Sequence, residues 1–392
     1  MVVGVCGSIA AYKAAEVVRG LIKQGALVRV VMTDSATKFI GPATFAALTG
    51  ERVHTDVFDE PERVIHVELG RWAEAFLICG ATATTLERLV HGSGADIVSA
   101  TYLMTRGPVL IAPAMHTEMW EHPAVQRNVS AVAADGARVI PPEEGDLASG
   151  DYGVGRLADP ANIVEAVVSA LTPKDLEGVR VLITVGPTRE AFDPVRFISN
   201  RSTGRMGFAL AAEAMRRGAD VTAVAGPTTS TAPAGVRVIR VESAEEMFAE
   251  CIERIEDTDV AILSAAVADW RPSHVADEKV KKDHASKTLD LEPTRDIAAE
   301  LGRKKGEQTL VLFAAETNDV IENARAKLES KHADLVVANQ VGRPGTGFES
   351  ETNDAALVSG KGVEQLETMS KDELARVILN RVAGLLKTSG SR

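Results

Sequence analysis

The residues with the clearest chemical potential lie between Thr188 and Gly207, a charged and polar loop that leads into a small-residue helix pattern. Ser202, Thr203 and Gly204 stand at the predicted helix start, where unpaired backbone N–H groups and the helix dipole favour an anion. Positive charge would come from Arg196, Arg201 and Arg205. The pattern predicts a phosphate-binding loop. It leaves open a solvated loop in which Ser202 simply caps the helix.

The elements on either side would position this loop. The preceding segment, Val179 to Pro187, is an apolar strand ended by Gly-Pro, and the following MGFALAAEAMRRG predicts a helix that ends at Gly218. A strand, a loop and a helix in this order are typical of ligand sites in α/β proteins.

The same alternation extends along the chain and predicts an α/β fold with two doubly wound, mostly parallel-sheet domains. Predicted strands are Val2 to Cys6, Leu27 to Met32, Phe76 to Cys79, Val109 to Ala112, Asp220 to Ala225 and Asp259 to Ser264. Predicted helices include Ile9 to Gln24, Asn162 to Leu171 and Asp372 to Leu386. The Pro- and Gly-containing segment LTPKDLEG divides the chain into domains 1–172 and 173–392.

Composition narrows the class of protein. The chain has 392 residues, 45% of them hydrophobic, and a formal net charge of −12, which argues against a general nucleic-acid or membrane-surface role. Three scattered cysteines predict neither a disulfide framework nor a zinc site, as in a reducing compartment. The opening MVVGVC reads as a buried strand rather than a signal peptide. We therefore expect a cytoplasmic enzyme whose partners are small phosphorylated molecules.

A second phosphate-binding turn is predicted near the N-terminus. Gly7 and Ser8 follow the first strand and precede the first helix, a place where open α/β sheets bind phosphates. The segment lacks the spaced glycines of the dinucleotide fingerprint, which makes NAD less attractive. A purely structural tight turn is an equally simple interpretation.

Several ordered blocks give the chain a close resemblance to a known family. They are Thr188 to Gly207, AAVADWRP at Ala265 to Pro272, KVKK at Lys279 to Lys282, LFAAET at Leu312 to Thr317, and ANQ followed by GFES and Asn353. With them, nearly the whole chain resembles the fused phosphopantothenoylcysteine decarboxylase and phosphopantothenate–cysteine ligase, a bifunctional family of coenzyme A biosynthesis.

For the first domain, the resemblance implies an FMN-dependent decarboxylase. The positions that match FMN-binding residues of the family are Gly7, Ser8, Thr33, Ser35, Thr82 and Thr85. Capping of a helix by Thr82 or Thr84 is an adequate alternative for that loop. His66 matches the essential decarboxylase histidine, which would assist proton movement beside the flavin.

Two catalytic positions depart from the family pattern. His116 stands where an asparagine usually holds the substrate carboxylate, and Ser149 stands where a flap cysteine usually donates a proton. An imidazole can donate a hydrogen bond to a carboxylate, but a hydroxyl is a much weaker acid than a thiol of pKa about 8.5. Cys79, in the third strand, is a possible substitute acid, although buried cysteines are usually inert.

For the second domain, the resemblance implies a ligase that activates 4′-phosphopantothenate with CTP as an acyl-cytidylate, which cysteine then attacks. Asn200 and Lys279 would be catalytic, and Arg196 and Arg201 would bind substrate with Asn200. The predicted nucleotide-binding residues are Ser202, Asp269, Lys279, Arg295, Asp296, Phe313, Lys327 and Lys331. Mg2+ would enter with CTP, since the sequence offers no acidic cage and we predict no protein metal ligands.

Three functions remain open at this point. The leading interpretation is an enzyme that carries out both reactions. The second is an active ligase fused to a flavin domain that is impaired as a decarboxylase, because of His116 and Ser149. The third is a noncatalytic flavin-binding regulatory module. By family analogy we also expect a homo-oligomer, a dodecamer built from flavin-domain trimers and ligase dimers.

Overall fold

A computed structural model describes residues 1–281, 288–316, 318–340 and 352–389 of the chain. It divides into two compact units, Met1–Thr172 and Pro173–Arg392. Both are α/β layers around a mainly parallel sheet. Within those described ranges, no helix is long and apolar enough to cross a membrane.

Unit 1 alternates strands and helices. Its strands are β1 Val2–Val5, β2 Arg29–Met32, β3 Phe76–Ala81, β4 Val109–Pro113, β5 Arg138–Val139, β6 Glu143–Asp146 and β7 Tyr152–Arg156. Its helices are α1 Ala14–Lys23, α2 Asp34–Thr37, α3 Pro42–Thr49, α4 Ile65–Trp72, α5 Ala83–Val90, α6 Ile97–Met104, α7 Thr117–Glu121, α8 Pro123–Ala134 and α9 Pro160–Leu171.

The unit 1 sheet is parallel and has the order β2-β1-β3-β4-β5, while β6 and β7 form a separate antiparallel hairpin. Alternate residues of β1 enter opposite cores: Val3 and Val5 pack with α1, α3 and α9, and Val2 packs with α4, α5, α6 and α8. Because helices cover both faces, the strands read as continuous apolar runs rather than as alternating ones.

Unit 2 has a larger sheet. Its strands are β8 Arg180–Val185, β9 Arg189–Ala191, β10 Phe197–Ser199, β11 Asp220–Ala225, β12 Arg237–Arg240, β13 Val260–Leu263, β14 Trp270–Pro272, β15 Leu291–Pro293, β16 Thr309–Glu316, β17 Leu335–Gln340, β18 Thr352–Asn353, β19 Ala355–Ser359, β20 Gly362–Gln365 and β21 Met369–Ser370. Its helices are α10 Arg205–Arg216, α11 Ala244–Arg254, α12 Ile297–Lys304, α13 Val320–Ser330 and α14 Lys371–Ser389.

The main sheet of unit 2 has the order β12-β11-β8-β13-β16-β17-β19-β20, and its last two strands pair antiparallel. One face is covered by α10 and α14, and the other by α11, α12 and α13. Three small antiparallel pairs, β9 with β10, β14 with β15, and β18 with β21, lie outside this sheet.

The predicted α/β class and mostly parallel sheets are confirmed, and most element ends shift by one to three residues. Two details differ. The predicted Ile9 to Gln24 helix begins as a 3-10 turn, Ile9–Lys13, before α1. The predicted loop from Thr188 contains the β9–β10 hairpin, a tertiary arrangement that its charged sequence did not indicate.

An ion pair joins the start of unit 2 to its helices. Arg217, only 4% exposed, donates from Nε and Nη2 to the two Asp175 carboxylate oxygens at 2.8 and 2.5 Å. Its Nη1 also donates to Asn380 Oδ1 of α14 at 2.9 Å. Hydrogen bonding to Arg217 lowers the pKa of Asp175 below its ordinary value. The bidentate geometry and the burial of Arg217 make this a structural contact rather than a surface pair.

We expect Arg217→Met to lower the free energy of unfolding of unit 2 by about 3 kcal/mol, because it leaves the Asp175 carboxylate without its partner. Since the folded-state pKa of Asp175 is depressed, the contribution is present above the unfolded-state pKa and is lost as the pH falls through the folded-state pKa. The deficit of the variant should therefore shrink below about pH 4. Urea unfolding followed by hydrogen exchange of α10 and α14 peptides measures it.

Arg303→Met is the matched control, because the Arg303 side chain is 69% exposed and pairs with Glu300 on the same helix. It should cost less than about 0.5 kcal/mol. Equal losses in the two variants would contradict a structural role for Arg217.

Candidate functional site

A cavity of about 860 Å3 opens in unit 2 at the carboxyl ends of β8, β13 and β16. The chain leaves β8 toward β11 on one side, and β13 lies on the other side, so this is the point where the strand order reverses. Open α/β sheets bind ligands in the crevice that such a reversal creates. The cavity contains most of the predicted ligase residues, namely Asn200, Arg201, Ser202, Asp269, Arg295, Asp296, Phe313, Lys327 and Lys331.

The start of α10 forms one wall of this cavity. Gly204, at φ +77°, occupies the N-cap position, so Ser202 does not cap the helix as the alternative interpretation proposed. The turn is held because Thr203 O accepts hydrogen bonds from Thr228 Oγ1 and, at 2.7 Å, from Ser230 Oγ. The first-turn N–H groups of α10 have no carbonyl one turn earlier in the helix, which favours an anion at this wall.

Asn200 connects two strand-end loops. Its Nδ2 donates to Val267 O at 2.8 Å, in the loop that follows β13. The same loop is fixed to the end of β8, where Ala268 N donates to Thr188 Oγ1 at 3.0 Å. Asp269 follows, and its carbonyl accepts from Thr294 N at 3.0 Å. These bonds place the Asn200 amide and Asp269 on the cavity wall.

Two lysines of the cavity are paired with carboxylates. Lys327 Nζ lies 2.8 Å from Glu316 Oε1, and Lys331 Nζ lies 2.5 Å from Asp296 Oδ2. Lys327 belongs to α13, whereas Lys331 lies just past its end. Burial opposes ionisation of Asp296, but the bonds from Lys331 and the α12 backbone outweigh it and lower its pKa. An anionic ligand would thus compete with carboxylates for both lysines.

Arg295 also lines the cavity, although its side chain is 61% exposed. Its Nη1 lies 3.4 Å from Glu245 Oε1, and its guanidinium lies 4.8 Å above the ring of Phe248. These contacts hold Arg295 at the rim rather than deep in the cavity.

Arg196 and Lys279 are the predicted ligase residues that do not line the cavity. Arg196 Nε donates to Asp193 Oδ2 at 3.0 Å, and its Nη2 donates to Val280 O at 2.6 Å. Asp193, only 1% exposed, also accepts from Val280 N at 3.1 Å, and hydrogen bonding to Arg196 strongly lowers its pKa. Arg196 and Asp193 together therefore fix the backbone next to Lys279. Lys282, Thr317 and the GFES block at 347–350 lie outside the described residues.

Sequence reasoning missed Lys371 as a cavity residue. It is 8% exposed and donates to Asn353 Oδ1 at 2.9 Å, and burial lowers its pKa. The available signal is a lysine at the first position of a helix, where the dipole disfavours a cation. Asn339, only 8% exposed, also lines the cavity, and within the described ranges its Oδ1 has no hydrogen-bond partner.

Unit 1 has a corresponding place at the carboxyl ends of β1 and β3, where its strand order reverses. Gly7 lies so close to Ser35 that a Cβ at residue 7 would be 2.1 Å from Ser35 Oγ. A Cβ at Gly80, whose φ is +70°, would be 2.8 Å from Ser8 Oγ. The Ser8 hydroxyl is buried, and in the part of the chain that the structure describes it has no hydrogen-bond partner. Gly7, Ser8, Ser35 and Gly80 thus form a narrow cradle, in which the Ser8 hydroxyl is a donor without a partner among the described residues.

The neighbouring hydroxyls are engaged in helix caps. Thr33 Oγ1 accepts from Ala36 N at 3.2 Å and lies 3.1 Å from Ser35 Oγ. Thr82 Oγ1 accepts from Thr85 N at 3.2 Å, so Thr82 caps α5 as the alternative interpretation allowed. These caps fix the N-termini of α2 and α5, the positive ends of their dipoles, at the loops that follow β2 and β3.

The predicted decarboxylase residues lie on separate elements. His66 is half-buried on α4, and its Nδ1 is buried without a hydrogen-bond partner among the described residues. His116 precedes α7, and its Nε2 lies 3.0 Å from Ser149 Oγ in the β6–β7 turn. Cys79 is fully buried, and burial raises the pKa of its thiol to about 12.

Both units match known protein families. Residues 1–172 match the model of the Flavoprotein family, and residues 176–386 match that of the DFP family, the DNA/pantothenate metabolism flavoprotein C-terminal domain. The chain is 44% identical to the coenzyme A biosynthesis bifunctional protein CoaBC of Bacillus subtilis, over 99% of this chain and 97% of that protein. The CoaBC of Mycolicibacterium smegmatis is also 44% identical, over 99% and 98%.

Among solved structures, the C-terminal domain of a coenzyme A biosynthesis bifunctional protein CoaBC is 40% identical. It covers 55% of this chain and 99% of that chain, with a TM-score of 0.48.

We expect Gly204→Ala to destabilise unit 2 by about 2–3 kcal/mol, because alanine would have to adopt an unfavourable left-handed backbone and its Cβ would clash with a neighbour. Its Cβ would lie 2.5 Å from Thr228 Oγ1. Gly178→Ala is the matched control, since Gly178 has φ +78° but no atom within 4 Å of such a Cβ, and it should cost about 1 kcal/mol. Urea denaturation of both variants measures the difference, and equal costs would refute the close packing of the α10 turn.

Proposed function

This chain belongs to the family of bifunctional coenzyme A biosynthesis proteins that join a flavoprotein domain to a DFP domain. From that premise we propose which of its residues serve each of the two reactions. The protein is an enzyme of coenzyme A biosynthesis with decarboxylase and ligase activities. The observation that carries this function is the 44% identity across 99% of the chain, which includes both units.

We assign the ligase reaction to the unit 2 cavity. The substrates proposed are 4′-phosphopantothenate, cysteine and CTP. A carboxylate oxygen of the first attacks the α-phosphorus of CTP and pyrophosphate leaves; the cysteine amine then attacks the acyl carbon and cytidylate leaves. Negative charge moves at each step, so cationic and N–H donors are what the site must supply.

The cavity offers these donors in separate positions. The N-terminus of α10, with Ser202, suits a phosphate group, and Lys327 and Lys331 suit the triphosphate once it displaces their carboxylate partners. Asp269 and Phe313 line the wall proposed for the cytidine. Asp296 and Arg295 stand at the same rim.

Asn200 is proposed to hold the carboxylate during activation. Its Nδ2 is bonded to Val267 O, which fixes the amide plane at the junction of the two loops. Lys279, next to the Val280 backbone that Arg196 and Asp193 hold, would neutralise the reacting phosphate. Arg196 and Arg201 are proposed to assist in substrate binding.

Mg2+ is proposed to enter with CTP. Among residues 1–281, 288–316, 318–340 and 352–389, no group of three acidic, histidine or cysteine side chains could hold a metal ion. Mg2+ usually retains waters and binds through substrate phosphates, where it neutralises charge on the triphosphate. The lysines and backbone N–H groups of the unit 2 cavity are compatible with a metal ion that binds through the substrate phosphates.

We assign the decarboxylase reaction to unit 1 with FMN as its flavin. The cradle of Gly7 and Gly80 and the buried, unused Ser8 hydroxyl fit a phosphate-bearing ligand at the strand reversal. Thr33, Ser35, Thr82 and Thr85 complete the proposed set. When bound, FMN supplies a reversible electron sink. His66 would hold or move a proton at its ring. His116 would donate a hydrogen bond to the substrate carboxylate once that carboxylate displaces one of the two carboxylates at its ring nitrogens.

We further propose a homo-oligomer, a dodecamer by family analogy. Exposed apolar side chains support an interface on each unit: Ile9 and Tyr12 in unit 1, and Val195, Phe197 and Trp270 in unit 2. A cytoplasmic location stays a sequence-based prediction.

Mass spectrometry of products tests the two activities together. Purified protein loaded with FMN and given 4′-phosphopantothenate, cysteine, CTP and Mg2+ should form 4′-phosphopantetheine and CO2. If only phosphopantothenoylcysteine forms, the ligase is active and the flavin domain is impaired as a decarboxylase. If neither product forms, the interpretation that remains is a noncatalytic flavin-binding module.

Asn200→Asp should retain the fold but lower ligation at least about 100-fold, because aspartate cannot donate to Val267 O and adds charge beside an anionic intermediate. Decarboxylation of supplied phosphopantothenoylcysteine is the internal control and should not change. Full ligation by this variant would contradict the role assigned to Asn200.

Ser8→Ala should weaken FMN binding about tenfold, since one phosphate hydrogen bond of about 1.4 kcal/mol is lost. The stability of the flavin-stripped protein should not fall, because the Ser8 hydroxyl has no partner among the described residues. Fluorescence titration with FMN measures affinity. Ser130→Ala, on an exposed face of α8, is the control. Unchanged affinity in Ser8→Ala would remove Ser8 from the flavin site.

A further inference from the structure

The two residues that depart from the family pattern contact each other. His116 and Ser149 are 33 positions apart, yet His116 Nε2 lies 3.0 Å from Ser149 Oγ. Asp151 Oδ2 lies 3.0 Å from the same nitrogen, and Glu118 accepts at Nδ1. The imidazole therefore faces one hydroxyl and two carboxylates.

The β6–β7 hairpin holds this contact in place. Its turn closes through hydrogen bonds from Gly150 N to Leu147 O at 3.0 Å and from Leu147 N to Asp151 O at 2.8 Å. Met115 N donates to Gly155 O at 3.0 Å, and a Cβ at Gly155 would be 2.2 Å from Met115 O. The hairpin thus lies directly against the backbone next to His116.

The surrounding charges favour the protonated imidazole. Hydrogen bonds to Asp151 and then Glu118 raise the pKa of His116 above its ordinary value. Hydrogen bonds from Ser149 and His116 lower the pKa of Asp151, so that carboxylate holds no proton near neutral pH. A serine hydroxyl alone is a much weaker acid than a thiol of pKa about 8.5. In this cluster, His116 is the group with a proton to give.

The remaining thiols of unit 1 are poor substitutes. Cys6 and Cys79 are fully buried, and burial raises the pKa of each thiol to about 12. Both are therefore weaker acids than an exposed thiol and are closed to a substrate at the surface.

We propose that His116 supplies the proton of decarboxylation through the Ser149 hydroxyl, in place of the thiol that the flap lacks. This inference rests on the decarboxylase reaction proposed above. The inference explains both departures from the family pattern together: the histidine and the serine jointly donate the proton that a cysteine donates in the family.

The proton balance is closed. Loss of CO2 breaks a C–C bond whose electron pair stays on the substrate carbon, so that carbon must take up one proton per turnover. A C–H bond forms with the Ser149 hydroxyl proton, and Ser149 Oγ takes the proton from His116 Nε2. The N–H electron pair stays on Nε2, and water reprotonates the neutral imidazole. The net reaction consumes one proton and needs no external oxidant or reductant.

His116→Asn is the informative variant, because asparagine is the residue that holds the carboxylate in the family pattern. We expect the KM for phosphopantothenoylcysteine to change little, while the kcat of CO2 release falls about 100-fold. Ser149→Ala should lower kcat similarly. Combining His116→Asn with Ser149→Cys restores the family pair and should bring kcat back to within about threefold of the unchanged chain.

A second measurement does not depend on turnover. NMR of the full chain with isotope-labelled histidine follows the titration of His116, whose pKa should fall when Asp151→Asn removes its first carboxylate partner. Because the acid must be protonated, CO2 release should decline as the pH rises through the His116 pKa. In Asp151→Asn that decline should begin at lower pH. Glu118→Gln should shift it in the same direction.

These measurements distinguish failure of the proposed decarboxylase function from failure of the proton-transfer inference alone. FMN absorbance and ligase activity, measured on the same samples, report that each variant is folded. If the unchanged chain forms phosphopantothenoylcysteine but releases no CO2, the proposed decarboxylase function fails and this inference fails with it. If the unchanged chain releases CO2 and His116→Asn does so at the same kcat, the inference alone is overturned. Failure of Ser149→Cys to restore turnover in the His116→Asn chain would also overturn it.

Discussion

Reversal of strand order in a parallel sheet is the constraint on which both sites depend. The chain leaves β1 toward β2 and β8 toward β11, while β3 and β13 occupy the opposite sides. The connections then diverge above the carboxyl ends of the strands, and they cannot fill the space between them. Backbone N–H groups and short polar side chains surround that space, which makes it suitable for phosphates in both units.

Close backbone approach shapes each of these places. Gly7 packs against Ser35, and Gly204 packs against Thr228 with a left-handed backbone, so neither position has room for a side chain. In unit 2 the contact of Gly204 holds the start of α10 against the loop after β11, while Asn200 just before it donates to the loop after β13. The small residues thus determine how near a ligand can come to the backbone donors.

Two lysines of the unit 2 cavity already have carboxylate partners before any ligand binds. Lys327 and Lys331 pair with Glu316 and Asp296, so an anionic ligand that binds these two lysines must displace a carboxylate from each. Such exchange lowers the net gain in affinity but keeps the lysines oriented. The same principle applies to His116, where nearby carboxylates set the protonation state of the imidazole.

The sequence by itself determined the fold class and the element order, because apolar runs such as Val2 to Val5 and Asp220 to Ala225 carry the period and length of buried parallel strands. It also indicated the polar loop that leads into α10, since that pattern is local. Only the tertiary structure decided that Lys371 joins the cavity, that Arg196 holds Val280 instead of lining it, and that His116 meets Ser149. The last two contacts join residues 33 or more positions apart, and a local pattern contains no information about which distant loops the sheet brings together.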